Sequence, residues 1–333
     1  MKTNYKMKRL LTLAFLGALY SASAQQVPQF SQYLRNQYLV NPAAAGVYDF
    51  VDVTVGGRLQ WLGFDDAPKT SYLYVSSPLK KQTRASYNPG IRISSGPVRN
   101  PEIKTGSFKH ALGGQLIADQ YGAFRQLRAA VTYALHMPIS RDYNLSFGTN
   151  VGISNRSFLA DRAQTLNMMT GAAYTDNTYD NFVANSGSQN TLDIAAGLYF
   201  YSKNMFVGVS ADQLTKDFVK FGNVETTFDP NMHFQGTAGV KFPISKNLTL
   251  MPAILAKYTQ FAPLSIEGSL QFEYKEWLWM GASFRNEDAI VAMAGLNISE
   301  RFKFGYSYDF NISRMQSYSA GGHELVLGLM LGR

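Results

Sequence analysis

Phe302-Lys303-Phe304-Gly305-Tyr306-Ser307-Tyr308-Asp309-Phe310-Asn311-Ile312 alternates without a break, each even position aromatic or aliphatic and each odd one polar or glycine. Successive side chains of a strand point to opposite faces, so this run is a strand with one greasy side and one wet side. The pattern recurs upstream. Tyr143, Leu145, Phe147, Val151 and Ile153 alternate with Asn144, Ser146, Gly148, Asn150, Gly152 and Ser154. Leu264, Ile266, Leu270, Phe272 and Tyr274 alternate with Ser265, Glu267, Ser269, Gln271 and Glu273, and the closing run sets Leu325, Leu327, Leu329 and Leu331 against Glu324, Gly328 and Gly332.

Extending this reading along the chain predicts strands at 50–61, 70–79, 108–118, 124–137, 143–154, 191–201, 205–213, 232–242, 247–258, 264–274, 277–285, 288–298, 302–312 and 323–332. Most have the length that a tilted strand needs to cross a hydrocarbon layer, roughly 9–11 residues. Their number is even, as single-chain bacterial barrels require. The expected fold is therefore an all-β transmembrane antiparallel β-barrel of about 14 strands. A soluble sandwich would carry charges on its outer face; here the polar face is mostly Gly, Ser, Asn and Thr, as suits a lumen. No repeat of fixed period points to a propeller.

Composition agrees. Aromatic residues make up 14% of the chain and charged residues only 16%, against about 25% charged in soluble domains. After residue 24 no apolar run is long enough for a spanning helix. Lys2, Lys6, Lys8 and Arg9 precede the apolar run Leu10 to Leu19 and then Ala22-Ser23-Ala24, the form of a secretory signal peptide cleaved near Ala24. The expected organisation is thus 1–24 signal peptide, 25–48 N-terminal arm or plug, and 49–333 barrel. Half of the formal net charge of +8 belongs to the leader's four cations, which removes the main support for a nucleic-acid partner. No cysteine offers a lipid anchor or a disulfide.

Sidedness follows from the connections, because one end of such barrels has tight turns and the other longer loops. Short links at 138–142, 201–204, 243–247, 275–276 and 299–301 alternate with longer, Asn- and Gly-rich segments at 155–190, 214–231 and 313–322, so the former are expected in the periplasm and the latter outside. The basic stretch 80–107 is long for its periplasmic side, and 286–287 is short for the outer one. Trp61, Phe64, Trp277 and Trp279 fall near strand ends, where an interfacial girdle would place them.

Little in the chain suggests chemistry. His110, His136, His233 and His323 sit on separate strands without metal-ligand spacing. His136, Asp193 and Ser210 could meet across a barrel wall as a hydrolytic trio, but no Gly-x-Ser-x-Gly element accompanies them. Neither a catalytic residue, a cofactor nor a metal is expected. Gln29 to Tyr33 with Tyr38, Leu39 and Val40 could form a short amphipathic helix or extended arm that Asn41-Pro42 interrupts; preceding the first strand, it must start in the periplasm or tuck into the lumen.

In this arm the chain resembles the PorP/SprF family of type IX secretion system membrane proteins. The resemblance rests on Pro28-Gln29-Phe30-Ser31-Gln32-Tyr33, Asn41-Pro42-Ala43 through Gly46, Trp61-Leu62-Gly63-Phe64, Ala67-Pro68-Lys69-Thr70, Ser77-Pro78-Leu79, Asp119 to Gly122 and His323-Glu324-Leu325. Around 84–107 the chain is longer than the family pattern, and it ends on Arg333 instead of an aromatic residue. The resemblance implies an outer-membrane barrel that helps export or anchor a large surface protein with a type IX C-terminal signal domain, in some members a gliding or adhesin-type one. Partners are then that protein, the translocon with its periplasmic components, and outer-membrane lipid. Candidate interface positions are Gln29, Phe30, Ser31, Gln32, Tyr33, Asn41, Pro42, Gly46, Trp61, Gly63, Phe64, Pro68, Lys69, Thr70, Asp119, Gly122, His323 and Glu324. The alternative function is a passive pore for small solutes.

Overall fold

A computed structural model describes residues 28–79, 103, 105–163, 166–170, 179–180, 183, 188–215, 220–221, 231–260, 262–299 and 301–332. The segment 1–24 expected to be a signal peptide and nearly all of the basic stretch 80–107 lie outside these residues. Fourteen long strands form one antiparallel sheet, each paired with its neighbours in sequence. They are β1 (Val51–Leu59), β2 (Lys69–Pro78), β3 (Lys109–Tyr121), β4 (Phe124–Pro138), β5 (Asn144–Phe158), β6 (Ser188–Tyr201) and β7 (Met205–Asp212). The second half comprises β8 (His233–Val240), β9 (Leu248–Thr259), β10 (Ser265–Tyr274), β11 (Leu278–Arg285), β12 (Ala289–Asn297), β13 (Phe302–Asn311) and β14 (Gly322–Leu331). Lys220–Phe221 and Phe242–Pro243 add two-residue ladders against β6 and β9.

β14 returns to β1, from Val51 opposite Leu331 to Leu59 opposite His323, and closes the sheet into a barrel. Closure leaves no edge, so the strands satisfy one another's N–H and C=O groups without water. Register fixes the faces. On β4 and β5, Val131 (69% exposed) and Ile153 (52%) point outward, whereas Thr132, Asn150 and Ser154 point inward and are buried. The outward positions from Leu127 to Met137 are all apolar. At about 3.3 Å per residue and a tilt near 40°, that run is about 25 Å tall, the height of a barrel's lipid-facing band.

Two features depart from the sequence reading. β3, β5 and β6 extend beyond the expected 108–118, 143–154 and 191–201, to Tyr121, to Phe158 and back to Ser188. Their extra outward positions include Asn155, Ser157, Ser188 and Asn190; this part of the wall has no apolar face, so the period-2 signal vanishes though the ladder continues. Trp279, expected in the girdle, instead points into the lumen and is 3% exposed. It shares the inward parity of Gly281, Ser283 and Arg285, while Trp277, in the turn before β11, is exposed.

Candidate functional site

The lumen is occupied by the chain itself. Arg58, near the end of β1, donates to the Gln29 carbonyl (3.0 Å), which puts the first described residues at the end where the longer loops lie. The chain then descends, and Arg35 pairs with Glu273 (2.9 Å) near the tight-turn end of β10. A short helix, α1 (Gln37–Val40), leads back up. Asn41 ends α1, and its side chain accepts from the Ala43 N–H to start a 3-10 turn over Pro42–Ala44. From there the chain descends again to β1. Phe30, Tyr33, Leu34, Tyr38, Val40, Ala43, Ala45, Val47 and Phe50 are all buried, and burying each large apolar side chain stabilises the plug by about 1.5–3 kcal/mol.

The stretch Gln29 to Tyr33 docks on a charged part of the wall. The Ser31 N–H donates to Glu324 (2.5 Å) and its hydroxyl to Asp309 (2.8 Å); the Gln32 amide donates to the Glu324 carbonyl (3.2 Å). Tyr33 donates to Ser269 (3.1 Å), while Phe30 packs edge-on against Tyr72, whose hydroxyl donates to Glu324 (2.8 Å). Behind these contacts Arg58 pairs with Asp309 (2.5 Å), and Arg285 with Glu267 (2.9 Å), Asp288 (2.9 Å) and Asp309 (3.5 Å). Charges so deeply buried are tolerable only when paired and hydrogen-bonded. Ser31 supplies part of that satisfaction, so this wall is built for an occupant.

The later plug residues sit on the opposite wall. Asn41 donates to the carbonyls of Leu198 (2.9 Å) and Val209 (3.2 Å), bridging β6 and β7. Gly148 and Gly197 provide the space: a Cβ on Gly148 would lie 2.4 Å from the Ala43 nitrogen, and one on Gly197 2.1 Å from the Asn41 amide oxygen. Tyr38 bonds Thr132, Ser210 donates to the Val40 carbonyl (2.7 Å), and Lys109 to that of Val47 (2.8 Å). Pro42 is buried in the 3-10 turn, and the Gly46 N–H donates to Ser76 (2.9 Å).

Each residue of the hydrolytic trio is engaged separately. His136 holds the Ala45 carbonyl (2.8 Å) and Tyr201 (3.0 Å), Ser210 holds the plug, and Asp193 pairs with Arg128 (2.7 Å).

The remaining candidates gather at the loop end. Trp61, Gly63 and Phe64 form the loop 60–68 between β1 and β2, which exchanges backbone hydrogen bonds with the loop before β14: Leu62 N–H to Gly321 (2.9 Å) and Ala320 N–H to Leu62 (2.7 Å). The Pro68 carbonyl accepts from Gln60 (2.9 Å), and the Gly122 N–H reaches Asp66 (3.1 Å). Asp66 also pairs with Arg162 (3.0 Å), tying in the next loop. Lys69 is exposed. Just inside, Thr70 donates to Asp119 (2.5 Å). His323 faces outward, its Nδ1 2.6 Å from the Tyr306 hydroxyl, whereas Glu324 faces the plug. Pairings such as Ser31 with Glu324 join residues 293 positions apart; only the motif content of both segments hinted that they belong together.

Two cavities flank the plug. One of about 750 Å³, counting space open to solvent, lies toward the tight turns among Arg35, Tyr48, Lys241 and Met251. The other, of about 460 Å³ and likewise counting space open to solvent, lies toward the loops among Phe30, Leu39, Asp119 and Arg128.

A closed antiparallel barrel with an apolar belt and a filled lumen defines an outer-membrane-type β-barrel protein. Its fold is similar to that of the deltaS2S3 mutant of the monoaromatic hydrocarbon channel TodX, at 11% identity, covering 90% of this chain and 94% of that one with a TM-score of 0.50. The P. putida toluene transporter TodX (9% identity, 87% and 92% covered, TM-score 0.45) and Haemophilus ducreyi BamA lacking POTRA domains 1–3 (8%, 84% and 70%, 0.41) are also similar. No curated protein matches the sequence. The profile of the type IX secretion system membrane protein family PorP/SprF matches residues 22–329, and the chain belongs to that family. Fold and family both fit an outer-membrane location, and the family ties the chain to the secretion machinery.

Proposed function

We propose that this barrel serves export or surface anchoring of a large secreted surface protein, by binding it and not by catalysis. The client, adhesin-like or gliding-type, carries a type IX C-terminal signal domain and is delivered by the translocon and its periplasmic components. On this reading the signal peptide is removed near Ala24, the barrel enters the outer membrane of a Gram-negative bacterium, and the tight-turn end faces the periplasm. The observation that carries the reading is the lumen filled by residues 28–50, whose polar contacts belong to the wall. A barrel so filled is suited to presenting a surface, and Trp61, Gly63, Phe64, Pro68, Lys69, Gly122 and His323 lie at the loop end where a client would meet it. Gln29 to Tyr33, Asn41, Pro42, Gly46, Thr70, Asp119 and Glu324 act one step back, by holding the plug and the rim that carries those loops.

Deletion of the gene should remove one large protein from the cell surface and leave small-solute uptake unchanged; a full complement of surface proteins in the deletion strain would sink the proposal. The cavities on both sides of the plug favour a second reading, a passive pore for small solutes. Planar-bilayer recordings separate the two. A large, steady open current from the intact chain supports the pore, and its absence supports the plugged anchor.

A further inference from the structure

Five of the connections at the tight-turn end follow one pattern. Arg141, Lys203, Lys246, Lys275 and Arg301 occupy the links β4–β5, β6–β7, β8–β9, β10–β11 and β12–β13, and all five are exposed. Among the described residues none of these five side chains forms an ion pair. Four of these links also expose a large apolar residue: Ile139 (61%), Ile244 (57%), Trp277 (42%) and Ile298 (68%). The fifth, with Lys203, follows β6, whose Phe200 stacks on Tyr143 with ring centroids 5.5 Å apart. Asp142, Glu276 and Glu300 stand next to three of the cations in sequence and offset them in part. The loop end differs, its described connections carrying Asp65, Asp66, Asp161, Glu287 and Asp288 beside Arg162 and Arg314.

We infer that these links form a ring of binding positions for the phosphate groups of anionic phospholipids in the leaflet that meets the tight-turn end. The apolar residue of each link continues the lipid-facing belt and enters the acyl region, while its cation stays at headgroup depth, where long basic side chains reach anionic groups. An acidic protein would call for a patch on one side. Here the cations recur at every second strand junction from β4 to β13, an arrangement suited to annular lipid. The inference rests on the membrane-embedded reading proposed above but not on the identity of the client.

The test uses the full chain in nanodiscs with equal phosphatidylethanolamine and phosphatidylglycerol, followed by native mass spectrometry of the lipids that stay bound. The expected result is a several-fold preference for phosphatidylglycerol. The combined variant Arg141→Gln, Lys203→Gln, Lys246→Gln, Lys275→Gln, Arg301→Gln should bind both lipids about equally. The loop-end pair Arg162→Gln, Arg314→Gln should keep the preference, as should Lys203→Arg, Lys246→Arg, Lys275→Arg. If the combined variant fails to fold, Lys203→Gln with Lys246→Gln alone should lower the preference part-way. Equal retention of the two lipids by the parent, or an undiminished preference in the glutamine variants, would overturn the inference. A missing client protein at the cell surface would bear on the proposed function and leave this result untouched.

Discussion

The two halves of the plug are held by different means. Gln29 to Asn36 are clamped by polar side chains from β1, β2, β10, β13 and β14, with Arg58, Asp309 and Glu324 at the centre. Tyr38 to Val47 instead lie against β2 to β9, where glycines remove side chains from the wall and Tyr199, Tyr201, Phe206 and Leu255 close around the plug. The clamp sets position through directional bonds whose loss leaves buried charges without partners. The glycine-lined wall adds close fit to neutral hydrogen bonds such as those of Asn41 and Ser210, and its failure is one of overpacking. The difference predicts unequal sensitivity: single changes should hurt more on the charged side.

Asp309→Ala tests the strongest form of that claim. It strips Arg58 of its partner at 2.5 Å and removes one of three carboxylates from Arg285. Breaking a buried pair from one side costs about 3–5 kcal/mol. The expected outcome is a large drop in the temperature at which the barrel loses its folded mobility on gels. Gly148→Val comes next, because its side chain would collide with the backbone at Ala43; overpacking of this kind costs about 1–3 kcal/mol. The chain has no cysteine, so Ala45→Cys gives a single reporter, and thiol labelling there should be slow in the parent and fast with Gly148→Val. A larger loss of stability for Gly148→Val than for Asp309→Ala would reverse the ranking of the two halves. Tyr33→Phe sharpens the comparison within the clamp. It removes one neutral hydrogen bond to Ser269, which keeps Ser283 at 2.7 Å as a partner, so the cost should be about 1 kcal/mol.

These contrasts also explain what the sequence could tell. Period-2 alternation is strong wherever lipid and lumen lie on opposite faces, which is why all fourteen long strands are legible and why β12 to β14 agree with their expected limits to within two residues. Where both faces leave the hydrocarbon, at Asn155, Ser157, Ser188 and Asn190, the signal fades and loop is expected where strand continues. Trp279 illustrates a different limit. Its closeness to a strand end suggests a girdle, but parity decides its direction, and the reason for an inward tryptophan is Arg35, 4.9 Å above its ring. The arm's path was not legible either. Gly148 and Gly197 look like ordinary small lumen residues until Ala43 and Asn41 are seen against them, and the Ser31–Glu324 contact links opposite ends of the chain, beyond the reach of any local pattern.

The weakest expected effect concerns the rim. Asp66 and Arg162 form an ion pair of 3.0 Å whose side chains are 37% and 38% exposed, and such pairs contribute about 0–1 kcal/mol because water screens them and two long side chains must be ordered. The rim has a second set of ties that needs no side chain: Leu62 to Gly321, Ala320 to Leu62, Gly122 to Asp66 and Leu159 to Ala123, all between backbone groups. Arg162→Ala should therefore leave both the gel-shift temperature and protease resistance of loop 60–68 within error of the parent. Rapid cleavage near Trp61 in that variant would show that the loop end is organised by charge, as the first half of the plug is, and the contrast between clamped and shape-fitted regions would then have to be redrawn.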